Sequence, residues 1–342
     1  LARKKDKNPN IVEQSLYNFG SNFIQWGICY QGAPMKNPFI KESTREFIKE
    51  ARQTPNYSVL DFVHGYIYGR WIYEYIELGT GQHPLGNKIG QWMKKLGIAP
   101  EKKPATANNR GMAETYHGKA VPLKAATELV QINEPINLPD LEQVIPYKRA
   151  RSIVLKNPEH IVALDCPCRS AKENPCMPID VCLVVGDPFA SFIREHHPSR
   201  SRDITPDEAV EILKAEDERG HVHHAFFKDA MLERFYAICN CCECCCGAIN
   251  SHKGGNPMLA SSGYVAEIEE DECIACEACV DYCQFNALKM DEETFTMSVV
   301  YENCMGCGIC IDKCDQAALT LVADESKGIP LEICALMEQT SI

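Results

Sequence analysis

Twenty cysteines stand in a chain of 342 residues, and nineteen of them lie after residue 160. They fall into CxC, CxxC and CC clusters. Adjacent thiols are badly placed to bridge one another, so a disulfide framework is disfavoured. Dense thiolate clusters suit soft metals and iron–sulfur groups. That chemistry implies a reducing setting, cytoplasmic and anaerobic.

Two spacings repeat near the C-terminus. Cys273-x2-Cys276-x2-Cys279-x3-Cys283 recurs 31 residues later as Cys304-x2-Cys307-x2-Cys310-x3-Cys314. Three thiolates two residues apart can wrap one face of a four-iron cubane from a tight loop. The fourth falls one helical turn beyond and points at the other cluster. The expected ligand sets are Cys273, Cys276, Cys279 with Cys314, and Cys304, Cys307, Cys310 with Cys283. Zinc would need pairs of CxxC, not triplets. Small residues beside the ligands (Ala275, Ala278, Gly306, Gly308) let backbone N–H groups approach the sulfides.

Over residues 264–323 this pattern resembles the bacterial two-cluster ferredoxins. The resemblance implies a (βαβ)2 fold and two [4Fe–4S] clusters close enough to act as a short wire for single electrons. That family usually places Pro after each fourth cysteine, where this chain has Gln284 and Asp315. The change spares the ligands but can alter hydrogen bonding to sulfur and hence the potential.

Ten more cysteines lie upstream: Cys166, Cys168, Cys176 and Cys182 in one group, and Cys239, Cys241, Cys242, Cys244, Cys245 and Cys246 in another. Residues 140–320 resemble a group of anaerobe proteins, described as 4Fe–4S ferredoxin-type, that share CxCR, VCL and CNCCxCCC motifs. That resemblance implies cluster binding but no particular reaction. The first group could hold one [4Fe–4S] cluster and the second another, or both could share a larger or non-cubane cluster. Six ligands in eight residues cannot all bind one cubane, and consecutive cysteines of an extended chain point to opposite sides. One or two further clusters are expected here. The alternative is redox-active or structural thiols. The CC runs bear a weak likeness to heterodisulfide-reductase-type enzymes, whose long spacing and partner motifs are absent. Arg169 could stabilise a reduced cluster beside Cys168 or simply form a salt bridge.

The elements that must position these thiols form an α+β architecture. Residues 1–120 are expected as a helical N-terminal region, with helices over 41–52, 58–78 and 87–96 and a loop or linker over 99–120. Residues 121–250 should form a small α/β cysteine-rich domain. Its predicted elements are a helix over 141–155 disturbed by Pro146, a strand at 161–164, a helix from Thr205 to about Arg219, a strand over 221–227 and a helix over 229–237. Thr205, Pro206 and Glu208 mark that helix start as a capping box. Gly, Pro and Ser suggest a linker over 251–263. The ferredoxin-like domain and tail fill 264–342.

His196, His197, His221, His223 and His224 could be metal ligands, although a core role is more ordinary. The aromatic helix bearing Tyr66, Tyr68, Trp71, Tyr73 and Tyr75 could dock a partner or rest on a membrane surface, but core packing suits it better. Cys29 and Cys334 are expected as buried thiols. No phosphate-binding glycine motif occurs, and the uncharged stretch over 14–35 is broken throughout by Gln, Asn, Ser and Gly, so no transmembrane segment is expected.

Residues 264–342 carry 17 acidic and 3 basic side chains, a net of −14 in a chain whose total is −12. Such acidity disfavours nucleic acid and favours a redox partner with a basic docking face. The leading expectation is an electron-transfer protein, within a larger redox complex. One alternative is an oxidoreductase whose unusual cluster in the CNCCECCC region is fed by the tail. A second is a structural iron–sulfur scaffold.

Overall fold

The computed structural model describes residues 40–84, 86, 88, 116–146 and 151–340. Cys29 and most of the helix expected over 87–96 lie outside them. The protein mixes helices and sheets, as the α+β expectation held.

Among the described residues three helices come first: α1 (Glu42–Gln53), α2 (Val59–Arg70) and α3 (Ile72–Gly79). Ser58 and Asp61 close a capping box at the start of α2. The single helix expected over 58–78 breaks at Trp71, whose φ of −127° and ψ of 48° leave the helical region. Gly65 and Gly69 allow α2 to press on its neighbours. A Cβ at Gly65 would fall 2.0 Å from the Ala230 carbonyl oxygen, and one at Gly69 would meet the Phe192 ring.

The chain then builds a sheet from β1 (Tyr116–Ala120), α4 (Leu123–Val130), β2 (Ile136–Leu138), β3 (Ile153–Leu164), α5 (Pro167–Ser170), β4 (Cys182–Asp187), α6 (Phe189–His196), β5 (Ser201–Ile204), α7 (Pro206–Glu218), β6 (Val222–Lys228), β7 (Arg234–Cys241), α8 (Gly247–Lys253) and β8 (Leu259–Ala260). The strand order is β2-β3-β4-β7-β6-β1-β8, with β5 paired to β3. All pairings are antiparallel except β1 with β8.

Strand alternation divides the core between the two faces. Ile161, Ala163, Leu183 and Val185 face a core that α4 and α7 cover. Val162, Leu164, Cys182 and Val184 face the opposite core, which α1, α2 and α6 cover and into which Cys166, Cys241 and Cys246 pack. The cysteine-bearing loops thus leave the sheet on one side.

Several expected elements differ. Residues 153–155 belong to β3, not to a helix over 141–155, because Ile153 and Leu155 pair with Leu138 and Ile136. Residues 234–237 begin β7, not a helix over 229–237, because Arg234–Cys241 closes a hairpin with β6. Phe235, Ala237 and Ile238 gain more from burial on both sheet faces than helix propensity could offset. Residues 116–120 form a strand inside the stretch expected as loop. Leu259–Ala260 join the sheet inside the stretch expected as linker.

The helix start at Thr205 forms as expected: its hydroxyl accepts from Glu208 N at 3.2 Å. The reciprocal half of the box does not form, because the Glu208 carboxylate pairs with Arg202. Gly220 closes the turn after α7 at φ 78°.

The C-terminal module runs β9 (Tyr264–Ile268), α9 (Ala278–Tyr282), β10 (Leu288–Asp291), β11 (Thr296–Val299), α10 (Ile309–Asp312) and β12 (Leu319–Ala323), followed by α11 (Ile333–Thr340). Strands β9 and β12 pair antiparallel, as do β10 and β11. Among the described residues no helix is long and apolar enough to cross a membrane.

Candidate metal centre

The two cysteine loops of the C-terminal module share an unusual backbone. Ala275 and Glu277 take positive φ values of 51° and 61°, and the matching Gly306 and Gly308 take 61° and 90°. Left-handed residues at these points curl each loop tightly around its thiols, which suits glycine better than glutamate. A Cβ at Gly306 would lie 2.2 Å from the Tyr264 carbonyl oxygen.

The electrostatics group the thiols. Cys279 is pushed up to about 11 by burial and by Cys276, Cys314 and Cys273. Cys307 is pushed up to about 12 by burial and by Cys283 and Cys304, and Cys310 is also raised, by burial, Cys307, Cys283 and Cys304. Backbone amides already point at sulfur: Ala287 N lies 3.2 Å from Cys283 Sγ, Ala318 N 3.3 Å from Cys314 Sγ and Ala266 N 3.5 Å from Cys304 Sγ.

The upstream cysteines regroup relative to their order in the chain. Cys176 leaves Cys166, Cys168 and Cys182 and joins the second run. Its sulfur lies 3.0 Å from Cys244 Sγ, and the sulfurs of Cys176, Cys242, Cys244 and Cys245 all fall within 4.8 Å of one another. Four thiols at that spacing fit a tetrahedral metal or one cubane. Hydrogen bonds from Cys176, Cys242 and Cys245 overcome burial and hold Cys244 below the usual thiol value.

The other six form a chain of sulfur contacts in which Cys166, Cys182, Cys241 and Cys246 are buried and Cys168 and Cys239 are half-buried. Cys168 meets Cys246, which meets Cys241. Cys168 also meets Cys166, which meets Cys182. Cys182 Sγ lies 3.7 Å from Cys239 Sγ. Cys166 is pushed up to about 12, chiefly by the Cys168 thiol, and Cys182 is raised, chiefly by Cys166 and Cys239. Buried thiols packed this way resist losing their protons together. A metal cation reverses that resistance, since it binds thiolate and displaces the proton. The donor set therefore fits a sulfur-held metal group. The nineteen described cysteines are all unbridged.

Arg169 fixes the shape of this centre from behind. Its side chain is 1% exposed and pairs with Glu216. It also donates to the carbonyls of Pro178 and Asn240 and meets His221 Nδ1 at 3.0 Å. It thereby ties the Cys166–Cys168 turn, the loop before β4 and the Cys239–Cys241 strand to α7. Asn240 continues the network: it donates to the Val181 carbonyl at 2.8 Å, and His223 Nδ1 lies 2.6 Å from its Oδ1.

The histidines serve the core. His196 and His197 bond the Phe192 and Gly69 carbonyls, and His221 bonds Glu216. His224 is pushed down to about 3, chiefly by burial. Tyr68 and Tyr73 are buried, as core packing requires, and Tyr66 and Tyr75 are half-buried, but Trp71 at the break between α2 and α3 is exposed. Cys334 is exposed on α11, not buried as expected, because Ile333 beside it takes the inward position.

The C-terminal module docks directly on the upstream centre. Gln284, standing where proline was expected, accepts from Glu243 N at 2.7 Å and donates to the Gly220 carbonyl at 2.9 Å. Phe285 lies against His224, with ring centroids 6.3 Å apart. Cys283 and Cys307 pack on the same core as Cys168, Cys241 and Cys246. The other end of the module faces outward: Cys276 is exposed and Ile274 is 64% exposed, amid Glu269, Glu270, Asp271 and Glu272.

Residues 272–318 match the family described as 4Fe-4S dicluster domain. The C-terminal module is thus a ferredoxin-type 4Fe–4S domain, which supports iron–sulfur electron transfer. No curated protein matches the chain.

Sequence reasoning missed two parts of the site. Lys228 and the Tyr68–Tyr236 pair line the same cavity as the upstream cysteines. A lone Lys in a strand carries no signal of its own. The missed clue was a charge inside the apolar run His-His-Ala-Phe-Phe-Lys.

Proposed function

We propose that the protein relays single electrons from an outer [4Fe–4S] cluster on Cys273, Cys276, Cys279 and Cys314, through an inner one on Cys304, Cys307, Cys310 and Cys283, to a metal–sulfur centre held by the upstream cysteines. The observation that carries this is the seat of Cys283 and Cys307 on the core that also holds Cys168, Cys241 and Cys246. A cluster at each place supplies reversible one-electron chemistry; the protein's part is to fix their spacing and exclude water.

The exposed acidic rim around Cys276 supports entry there of electrons from a partner with a basic face, in a larger anaerobic, cytoplasmic redox assembly. The upstream thiols divide into a four-cysteine and a six-cysteine set, which supports one or two further clusters. Iron and sulfide analysis of anaerobic protein tests the count. The relay expects about twelve to sixteen iron, in units of four. About eight iron would confine electron transfer to the C-terminal module.

A second reading, an oxidoreductase fed by that module, is favoured by one observation: a cavity of about 620 Å³ is lined by the six-cysteine set together with Cys242, Cys244 and Cys245.

A further inference from the structure

Cys176 arrives on the loop after α5, and Cys242, Cys244 and Cys245 on the turn between β7 and α8. The size of the tetrahedron their sulfurs form separates two kinds of metal group. A single ion holds four thiolates at about 2.3 Å, which sets them about 3.8 Å apart. In a cubane each thiolate binds its own iron and points outward, which sets the four roughly 6 Å apart.

The observed separations are close to those of the single ion. Cys176 Sγ lies 3.0 Å from Cys244 Sγ, and Cys244 Sγ lies 3.7 Å from Cys245 Sγ. All four sulfurs fall within 4.8 Å of one another. A cubane fits only after every pair spreads by more than about 1 Å, whereas a single ion needs no spreading. Among the described residues no other group of Cys, His, Asp or Glu ligand atoms is this compact. The eight cysteines inside the 4Fe–4S dicluster match form none, and neither do the six thiols of the other upstream set. One chain thus carries two grades of thiol spacing. The four are unbridged, so no disulfide draws them together.

We propose that Cys176, Cys242, Cys244 and Cys245 hold one tetrahedral metal ion, zinc or a lone iron, with no inorganic sulfide. The ion staples the two loops together. Cys176 N already points at Cys245 Sγ at 3.5 Å, and such an amide steadies thiolate charge. Glu243 stands between two of the ligands, and its amide is the donor to Gln284 of the C-terminal module. Lys253 pairs with the Glu243 carboxylate at 2.6 Å, and Asn250 Nδ2 donates to the Glu243 carbonyl at 3.0 Å. The ion therefore fixes the seat on which that module docks. The inference stands apart from the relay, which needs a cluster only in the six-cysteine set.

Zinc, iron and acid-labile sulfide are counted in anaerobic full-length protein and in C176A/C244A, whose two sites are half-buried and exposed. A cubane holds iron and sulfide in equal number, so the parent is expected to carry one metal ion in excess of its sulfide. The double variant is expected to lose that ion and no sulfide, and the element lost names the metal. Loss of about four iron with about four sulfide would place a cubane at these thiols and overturn the proposal. So would unchanged metal content in the variant. Should the variant fail to fold, the parent decides alone: metal and sulfide in balance overturn the single ion. The relay is tested separately on the same samples. About eight iron beside the single ion removes the relay and keeps this site, whereas about twelve iron without the ion removes this site and keeps the relay.

Discussion

Gln284 shows how one residue adapts a cluster loop to its setting. A proline there would shape the turn and lack the amide that bonds both the CNCCECCC loop and Gly220. Each of those hydrogen bonds contributes on the order of 1 kcal/mol. Q284A should lower the thermal midpoint modestly at unchanged iron content, and should slow re-equilibration between inner and upstream centres after a reducing pulse. Unchanged transfer kinetics would mean that the docking is held elsewhere. Lys228 makes the opposite bargain, since its burial costs stability. Its folded pKa is pushed down to about 8 from an ordinary 10.5, chiefly by burial. Between those values the unfolded chain binds more protons than the folded one, so stability rises with pH across that window. Below pH 8 both states are protonated and the penalty is complete, at about 3 kcal/mol. K228M should therefore be more stable than the parent at pH 7, by a margin that fades toward pH 10.5. Thermal midpoints across that range check it, and a margin that does not fade would refute a titrating ammonium as its source.

At the scale of elements, sulfur groups are assembled by loops far apart in sequence. The loop after α5 brings Cys176 to Cys242, Cys244 and Cys245. Helix α5, strands β4 and β7 and the start of α8 bring together the other six. Cysteines that share one centre should not add their effects. C176A/C244A should lose no more iron than either single variant, whereas C176A/C239A should lose the sum of its singles. Equal losses in both double variants would mean that all ten thiols hold one group. The ferredoxin-type domain at the C-terminus was legible from sequence because each of its cysteine loops is local and repeated. The regrouping of Cys176 was not, because its partners Cys242, Cys244 and Cys245 lie more than 60 residues away and depend on how two loops leave the sheet. The same distance effect explains the missed strands. Residues 153–155 and 234–237 have ambiguous local preference, and only their partners Ile136–Leu138 and Val222–Lys228 decide them. The helix at Thr205 was legible because its cap is local.

At the scale of the whole molecule, the large sheet and the C-terminal module rest on different foundations. The large sheet buries apolar side chains on both faces, enough to stand without metal. The C-terminal module has two separate two-stranded ribbons and a small core in which Cys279 and Cys304 are themselves members. Isolated ribbons of that size are marginal in water, so thiolate–metal bonds must supply the missing cohesion. Acidic repulsion within residues 264–342, with a net of −14, adds to the need. Anaerobic chelation of iron should abolish hydrogen-exchange protection through β9–β12 while amides of β3, β4, β6 and β7 stay protected. C307A should show a milder form: loss of about four iron, with protection lost first around β10 and β11, next to Cys283. Protection of β9–β12 that survives complete iron removal would show that the module folds on apolar burial alone. Its cysteines would then need another account.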